Sequence, residues 1–438
     1  MKKIIAFSLF TFYFSLFTCL YPEQDVEKVL TLDESINLAI SNSQQLLSGQ
    51  MDIKIAGQRL KEAKSGMYPQ LEFNTNFSRF DAQSPLFISP ILGNTILPAK
   101  TSEEVEKALN KNISTVERYY TAKMSFYQVL WSAGKLNATK KYAETELKTA
   151  ESNHGTIKNR TVANVKKSFF KLLAIQDKLN VCNNTLKEIS EQAAEIKDIT
   201  DQLKSKRIVR KIEEISEDTK KELELERIDF LDTIGVELDT TFKVVGDFVF
   251  KRTDIDLNKC LAWAVEYRPE VKNLELQEQM DALEVSLSLS GRYPTISVGG
   301  IYQLEDTKLP FEKKSWNATV NLNLPIFDGF ALASRITQKK YQYRKVQIYR
   351  ASVIDNIKAE VRKLFLEYNY AVKQLEKKTN EYETLPDINI EPFKNLSEYD
   401  ALELKKIFLD TKLEYIDATK HAIITKIDLE NSVGRDIE

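Results

Sequence analysis

The same five-residue punctuation, Ser-Gly-x-Tyr-Pro, occurs at Ser65–Pro69 and again at Ser290–Pro294, each time where helical apolar spacing gives way to strict alternation. The likeness extends backward without a gap, with Leu32, Ile36 and Ala39 standing opposite Leu257, Leu261 and Ala264. A chain that repeats itself over such a length is two copies of one supersecondary unit. Whatever it folds into must hold both copies in equivalent places.

Each copy opens with cap-forming residues, Thr31 and Asp33 in the first and Asp256 and Asn258 in the second. Helical apolar spacing follows and predicts helices over 33–64 and 258–289, each ended by Gly and Pro. After Pro69 the period changes: Leu71, Phe73, Thr75 and Phe77 alternate with Gln70, Glu72, Asn74 and Asn76, which is strand spacing. Strand spacing returns at Tyr120, Ala122, Met124 and Phe126. It appears again at Ile296, Val298, Tyr302 and Leu304, and a last time from Trp316 to Leu324 against Asn317, Thr319, Asn321 and Asn323. The expectation is two strand hairpins, over 69–130 and 294–327. Their strands have about the ten residues that cross a bilayer when tilted, and Trp316, Tyr119, Tyr120 and Tyr302 are candidates for interfacial girdles. Alternation alone is met equally well by a soluble sheet with one wet face.

Beyond the hairpins each copy runs on as Lys- and Glu-rich sequence with apolar residues at helical spacing, such as Val165, Phe169, Leu172 and Leu173, or Val361, Leu364, Phe365 and Tyr368. The reading is a long helical hairpin over 132–234 with its tip near 195–201, and a second over 329–433 with its tip near 391–400. Gly235 and Gly434 serve as caps. The first repeat thus covers 21–235, a connector 236–256, and the second repeat 257–438. At 1.5 Å per residue the outgoing helix reaches about 90 Å, close to a returning helix plus an opening helix laid end to end, which predicts a helical barrel with a sheet at one end. Four strands leave two open edges. An unpaired backbone group in lipid costs several kcal/mol, so strands in a membrane would have to close with copies of themselves into a cyclic oligomer.

Composition removes other classes. Lys+Arg 62 against Asp+Glu 64 leaves no basic footprint for nucleic acid. With His154 and His421 the only histidines, no Gly-rich phosphate loop and no Ser/His/Asp arrangement, there is no catalytic constellation and no cofactor site, so the chain reads as a non-enzyme. Cys182 and Cys260 form neither a disulfide framework nor a metal set. The start, with Lys2 and Lys3 before the apolar run Ile4–Phe17, reads as a signal peptide over 1–20. Cys19, in Leu-Phe-Thr-Cys, is a candidate for lipidation, set against simple cleavage nearby.

The stretch Leu30–Ser43 (LTLDESINLAISNS), the two Ser-Gly-x-Tyr-Pro stops, Leu324–Gly329 (LPIFDG) and the spacing between them resemble the TolC-type outer membrane efflux proteins over nearly the whole chain after the leader. The resemblance implies an α+β membrane protein. It would be a homotrimer in which four strands per chain make a twelve-stranded barrel in outer membrane lipid, continued by a coiled-coil helical barrel in the periplasm. It implies an exit duct for small molecules such as drugs, working with a periplasmic adaptor and an inner-membrane pump in a tripartite efflux system. Counting back from Gly434 places Asp400 and Glu403 on the family's entrance carboxylates. Their i, i+3 spacing puts both on one helical face, where symmetry would make rings that divalent cations could block. Without the resemblance the same pair is an ordinary solvated helix face. Asp201 corresponds in the first repeat and would brace the tip together with Lys394. Glu195, Ile196 and Lys197 in one turn, and Asn395, Leu396 and Ser397 in the other, would meet the adaptor. Two features depart from the family: Glu195 and Lys394 stand where its turns usually carry Gly, and Leu396 where some members place a basic partner. Two alternatives remain at this level, the exit duct of a type I protein secretion system and a lipid-anchored coiled-coil structural surface protein.

Overall fold

The computed structural model describes residues 28–79, 118–384 and 397–437. The expected signal peptide, Cys19, Lys394, Asn395 and Leu396 lie outside the described residues. The chain divides into two compact units, each assembled from three segments. The first takes residues up to 42, 164–250 and 378–420, and the second 43–163, 251–377 and 421–438.

The second unit carries a four-stranded antiparallel sheet in the order β2-β3-β5-β6, with β2 Gln70–Arg79, β3 Arg118–Trp131, β5 Thr295–Asp306 and β6 Lys313–Asn323. The two hairpins therefore join through β3 and β5, leaving β2 and β6 as edges. Register is continuous across the sheet: Phe73 pairs with Met124, Met124 with Tyr302 and Tyr302 with Trp316. It shifts once, between Val129 and Trp131.

Each opening helix is divided. In the first repeat, α1 (Leu32–Asn42) ends before Ser43, which stays extended (φ −62, ψ 111) and starts α2 (Gln44–Ser65) by accepting a bond from the Leu46 N–H. In the second, α5 (Leu257–Tyr267) stops at Arg268, held extended before Pro269, and α6 (Pro269–Ser290) begins on that proline. The single helices expected over 33–64 and 258–289 are thus corrected to pairs. The long helices are α3 (Lys135–Glu195), α4 (Ile199–Ile234), α7 (Ala331–Glu383) and α8 (Glu398–Val433).

The first unit holds an element that alternation could not reveal. The three-residue strands β1 (Lys28–Leu30) and β4 (Phe242–Val244) pair in parallel, so the connector between repeats is partly ordered into a sheet. Leu30, Val165, Phe169, Leu172, Phe230, Ile234, Phe242 and Val244 pack there as one buried cluster. The caps at the repeat ends are left-handed: Gly235 has φ 67 and Gly434 φ 83, conformations that a Cβ makes costly. No helix among the described residues is long and apolar enough to cross a membrane.

Candidate functional site

Two surfaces carry the functional reading, one in each unit. On the sheet, the register sorts side chains onto two faces. One face presents Leu71, Phe73 and Phe77 from β2, Phe126 and Met124 from β3, Tyr302 and Leu304 from β5, and Trp316, Val320 and Leu322 from β6. The other presents Glu72, Asn74 and Asn76, then Lys123 and Ser125, then Gln303 and Glu305, then Lys313, Ser315, Asn317 and Thr319. The apolar side chains on the edge strands lie open: Phe73 is 68% exposed, Trp316 77% and Val320 74%. An apolar face this bare is suited to lipid rather than water. The polar face is hydrogen-bonded within itself, Gln303 Nε2 donating to Glu305 Oε2 at 2.8 Å.

The second surface is the turn end of the first unit. After α3 ends at Glu195, Asp198 caps α4 by accepting bonds from the Thr200 and Asp201 N–H groups at 2.9 and 3.0 Å. On α8, Ser397 does the same for the Asp400 N–H at 3.1 Å, so its hydroxyl is engaged in capping. Asp400 and Glu403 are both exposed on α8, while Leu402 between them is fully buried. Asp201 is half-buried and pairs with Lys204 at 3.3 Å, and the Lys204 ammonium lies 5.0 Å over the Tyr399 ring. The structure thus links the starts of α4 and α8 through Asp201, Lys204 and Tyr399. The contact of Lys204 with Tyr399 had no sequence signal, because only tertiary packing places a lysine of one repeat over an aromatic of the other.

Of the turn residues, Glu195 and Lys197 are exposed. Ile196 is instead 3% exposed, packed with Cys182, Ile189, Ile208, Ile212, Leu402 and Leu409, and its carbonyl accepts from Gln202 Nε2 at 2.7 Å. It anchors the turn from beneath and presents no side chain to a partner in this protomer.

Ion pairs tie α8 to α3 above the turn. Lys405 reaches Glu188 at 3.5 Å, and Lys178 reaches Asp417 at 2.6 Å, with Lys420 adding a second contact to Asp417 at 2.8 Å. Burial would push the Asp417 carboxyl up, yet the hydrogen bonds and charges of Lys178 and Lys420 hold it below its ordinary value. Asp177, with less compensation from Lys412, is pushed up by burial. Among the described residues no group of His, Cys, Asp and Glu is placed to hold a metal ion.

Several solved structures share this fold. The chain resembles CusC, whose crystal structures address transmembrane channel formation, at 14% identity and TM-score 0.72, covering 92% of each chain. It resembles the Campylobacter jejuni CmeC outer membrane channel at 15% identity and TM-score 0.69, covering 92% of this chain and 85% of that one. It also resembles the open state of the Neisseria gonorrhoeae MtrE outer membrane channel at 14% and 0.66, covering 92% and 89%. The fold is that of outer membrane channels. Residues 262–384 match the family model described as outer membrane efflux protein. Over that stretch the chain is similar to the outer membrane efflux proteins. No curated protein sequence matches it.

Proposed function

We propose that the protein is the outer membrane exit duct of a tripartite efflux system, passing small molecules such as drugs outward. The observation that carries this reading is the sheet: an apolar face, a polar face and two open edges, β2 and β6. In the order β2-β3-β5-β6 all neighbours are antiparallel, so β2 and β6 run in opposite directions. The β6 edge of one copy therefore matches the β2 edge of the next as a further antiparallel pair, and a ring of copies removes every edge while keeping apolar side chains outward and polar ones around water. Three copies make the twelve-stranded barrel of the family. The helical hairpins continue it into the periplasm as a coiled-coil barrel, with the turns meeting an adaptor and, through it, an inner-membrane pump. Asp400 and Glu403 line the entrance, and symmetry makes them carboxylate rings that attract cations and that divalent ions block.

The test is single-channel recording in planar bilayers with the full chain. Wild-type protein should form cation-preferring channels of low conductance that divalent cations block. Asp400→Asn with Glu403→Gln should raise conductance and abolish the block. Identical conductance, selectivity and block in the two proteins would refute the assigned entrance.

A further inference from the structure

The apolar face of the sheet carries cations at one end only. All four strands meet helices at the same end, β2 after α2, β3 before α3, β5 after α6 and β6 before α7. At the opposite end, the alternation that puts Leu71, Phe73 and Phe77 on the apolar face puts Arg79 there too, and its register partner on β3 is Arg118. Lys314 on β6 falls on the same face, opposite Leu304 and two residues before Trp316. These three are the cations that the described strands place on this face, whereas Lys123 and Lys313 lie on the polar one. All three are exposed, and among the described residues none is paired with a carboxylate. The acid on the same face, Asp306, is occupied by the backbone, accepting from the Thr307 and Glu312 N–H groups at 2.7 and 3.0 Å. On the polar face, by contrast, Lys313 stands opposite Glu305.

Like charges in direct register, about 5 Å apart, repel, and an anion set between them removes that cost. Edge protection accounts for part of the pattern, since charge on β2 and β6 discourages stray pairing, but Arg118 sits on β3, an interior strand. Depth supplies the reason. Directly before the arginine pair on the same face comes the pair Phe77 and Tyr120, with ring centroids 5.0 Å apart. Aromatic rings of a membrane strand settle where hydrocarbon meets headgroups. The next position on that face, two residues or about 7 Å along each strand, falls at the level of lipid phosphates. A guanidinium group presents paired donors that match phosphate oxygens.

We propose that Arg79 and Arg118, joined by Lys314, bind the phosphate of an anionic lipid headgroup in the leaflet farther from the helices. The inference rests on the ring of copies proposed above. In that ring the β6 edge of one copy lies beside the β2 edge of the next. Lys314 and Arg79 both stand at the helix-distal ends of those strands, so each junction gathers cations from two copies around one headgroup. A lipid held there bridges two copies at the level where their sheets meet.

The experiment uses the full chain in its assembled form, extracted in neutral detergent, mixed with phosphatidylglycerol, phosphatidylcholine or inorganic phosphate, and weighed by native mass spectrometry. Phosphatidylglycerol should stay bound at one molecule per copy, while phosphatidylcholine, whose choline offsets its phosphate, and inorganic phosphate should be lost. Arg79→Gln with Arg118→Gln should weaken retention of phosphatidylglycerol roughly 30-fold, about a factor of five for each cation removed near a membrane surface. Lys123→Gln with Lys313→Gln, on the polar face, should leave retention unchanged. Equal retention by the arginine variant and wild type, equal retention of the two lipids by wild type, or inorganic phosphate held as firmly as phosphatidylglycerol overturns the proposal. Should the glutamine variant fail to assemble, Arg79→Lys with Arg118→Lys keeps the charge and should still prefer phosphatidylglycerol; a lysine variant without that preference counts against the site. A chain that forms no oligomer and enters vesicles of neither lipid refutes the channel reading itself, whereas one that forms channels but fails the lipid comparison overturns the headgroup site alone.

Discussion

Replacing glycine by alanine should have opposite effects at two places in this chain, and the structure supplies the sign of each. At Gly235, φ is 67 and an added Cβ would sit 2.9 Å from the Asn42 Cβ, an atom fixed to helix α1 and unable to swing aside. The left-handed conformation costs a residue with a Cβ about 1–2 kcal/mol. Crowding of a packed contact adds about 1–3 kcal/mol, for a total loss of roughly 2–5 kcal/mol. At Gly155, inside α3, an added Cβ meets nothing within 4 Å. There alanine should stabilise by about 0.5–1 kcal/mol, because it restricts the unfolded chain and suits the helix. The assay is urea unfolding of the full chain in detergent, followed by far-ultraviolet circular dichroism. Because the urea slope grows with the surface exposed and in a chain of this length exceeds the roughly 1–3 kcal/mol per molar of small domains, the Gly235→Ala midpoint should fall by up to about one molar, while that of Gly155→Ala rises slightly. Equal midpoints, or a Gly235→Ala protein as stable as wild type, would mean that the cap does not lie against α1 as described.

Three further predictions follow from the charge and face assignments. Asp417, held below its ordinary value of 3.8, contributes stability that is present above that value and lost as pH falls through its lower folded value; Lys178→Met should remove much of that acid-limb dependence in pH-dependent unfolding. Glu226 shows the reverse sign, since burial raises it above 4.5 despite Lys171 and Ser168. Glu226→Gln should therefore be more stable than wild type near neutral pH, and the advantage should vanish below about 4.5 in the same unfolding series. On the sheet, Val320→Arg on the apolar face should cost roughly 2–4 kcal/mol of insertion into bilayers, whereas Asn317→Arg on the polar face should insert normally; liposome-insertion yields that are alike for the two would reverse the face assignment.

Much of this architecture could be read from local pattern. The strands announced themselves because Leu71, Phe73 and Phe77, or Trp316, Val320 and Leu322, must share a face whatever lies beside them. The repeat-ending glycines were visible because few other residues tolerate the left-handed caps at Gly235 and Gly434. What escaped the sequence depends on partners far along the chain. The break before Pro269 had a signal in Arg268-Pro269, but that at Ser43 rests on one capping hydroxyl inside otherwise unbroken helical spacing. Strands of three residues such as β1 and β4 have no period to detect and exist because each pairs with the other. The turn was misjudged at Ile196 for the same reason: its apolar side chain suits a docking contact or an interior one, and only the cluster with Leu402 and Leu409 decides. Asp201 pairs with Lys204 within its own helix, an i, i+3 contact available to inspection, whereas the link onward to Tyr399 required the packing of α4 on α8.

The most direct check on the account is the native mass of the full-length particle extracted in detergent. A trimer is the predicted result, since strand edges that lie bare in one protomer must be mated before the sheet can rest in lipid. A stable monomer with its sheet intact would contradict it.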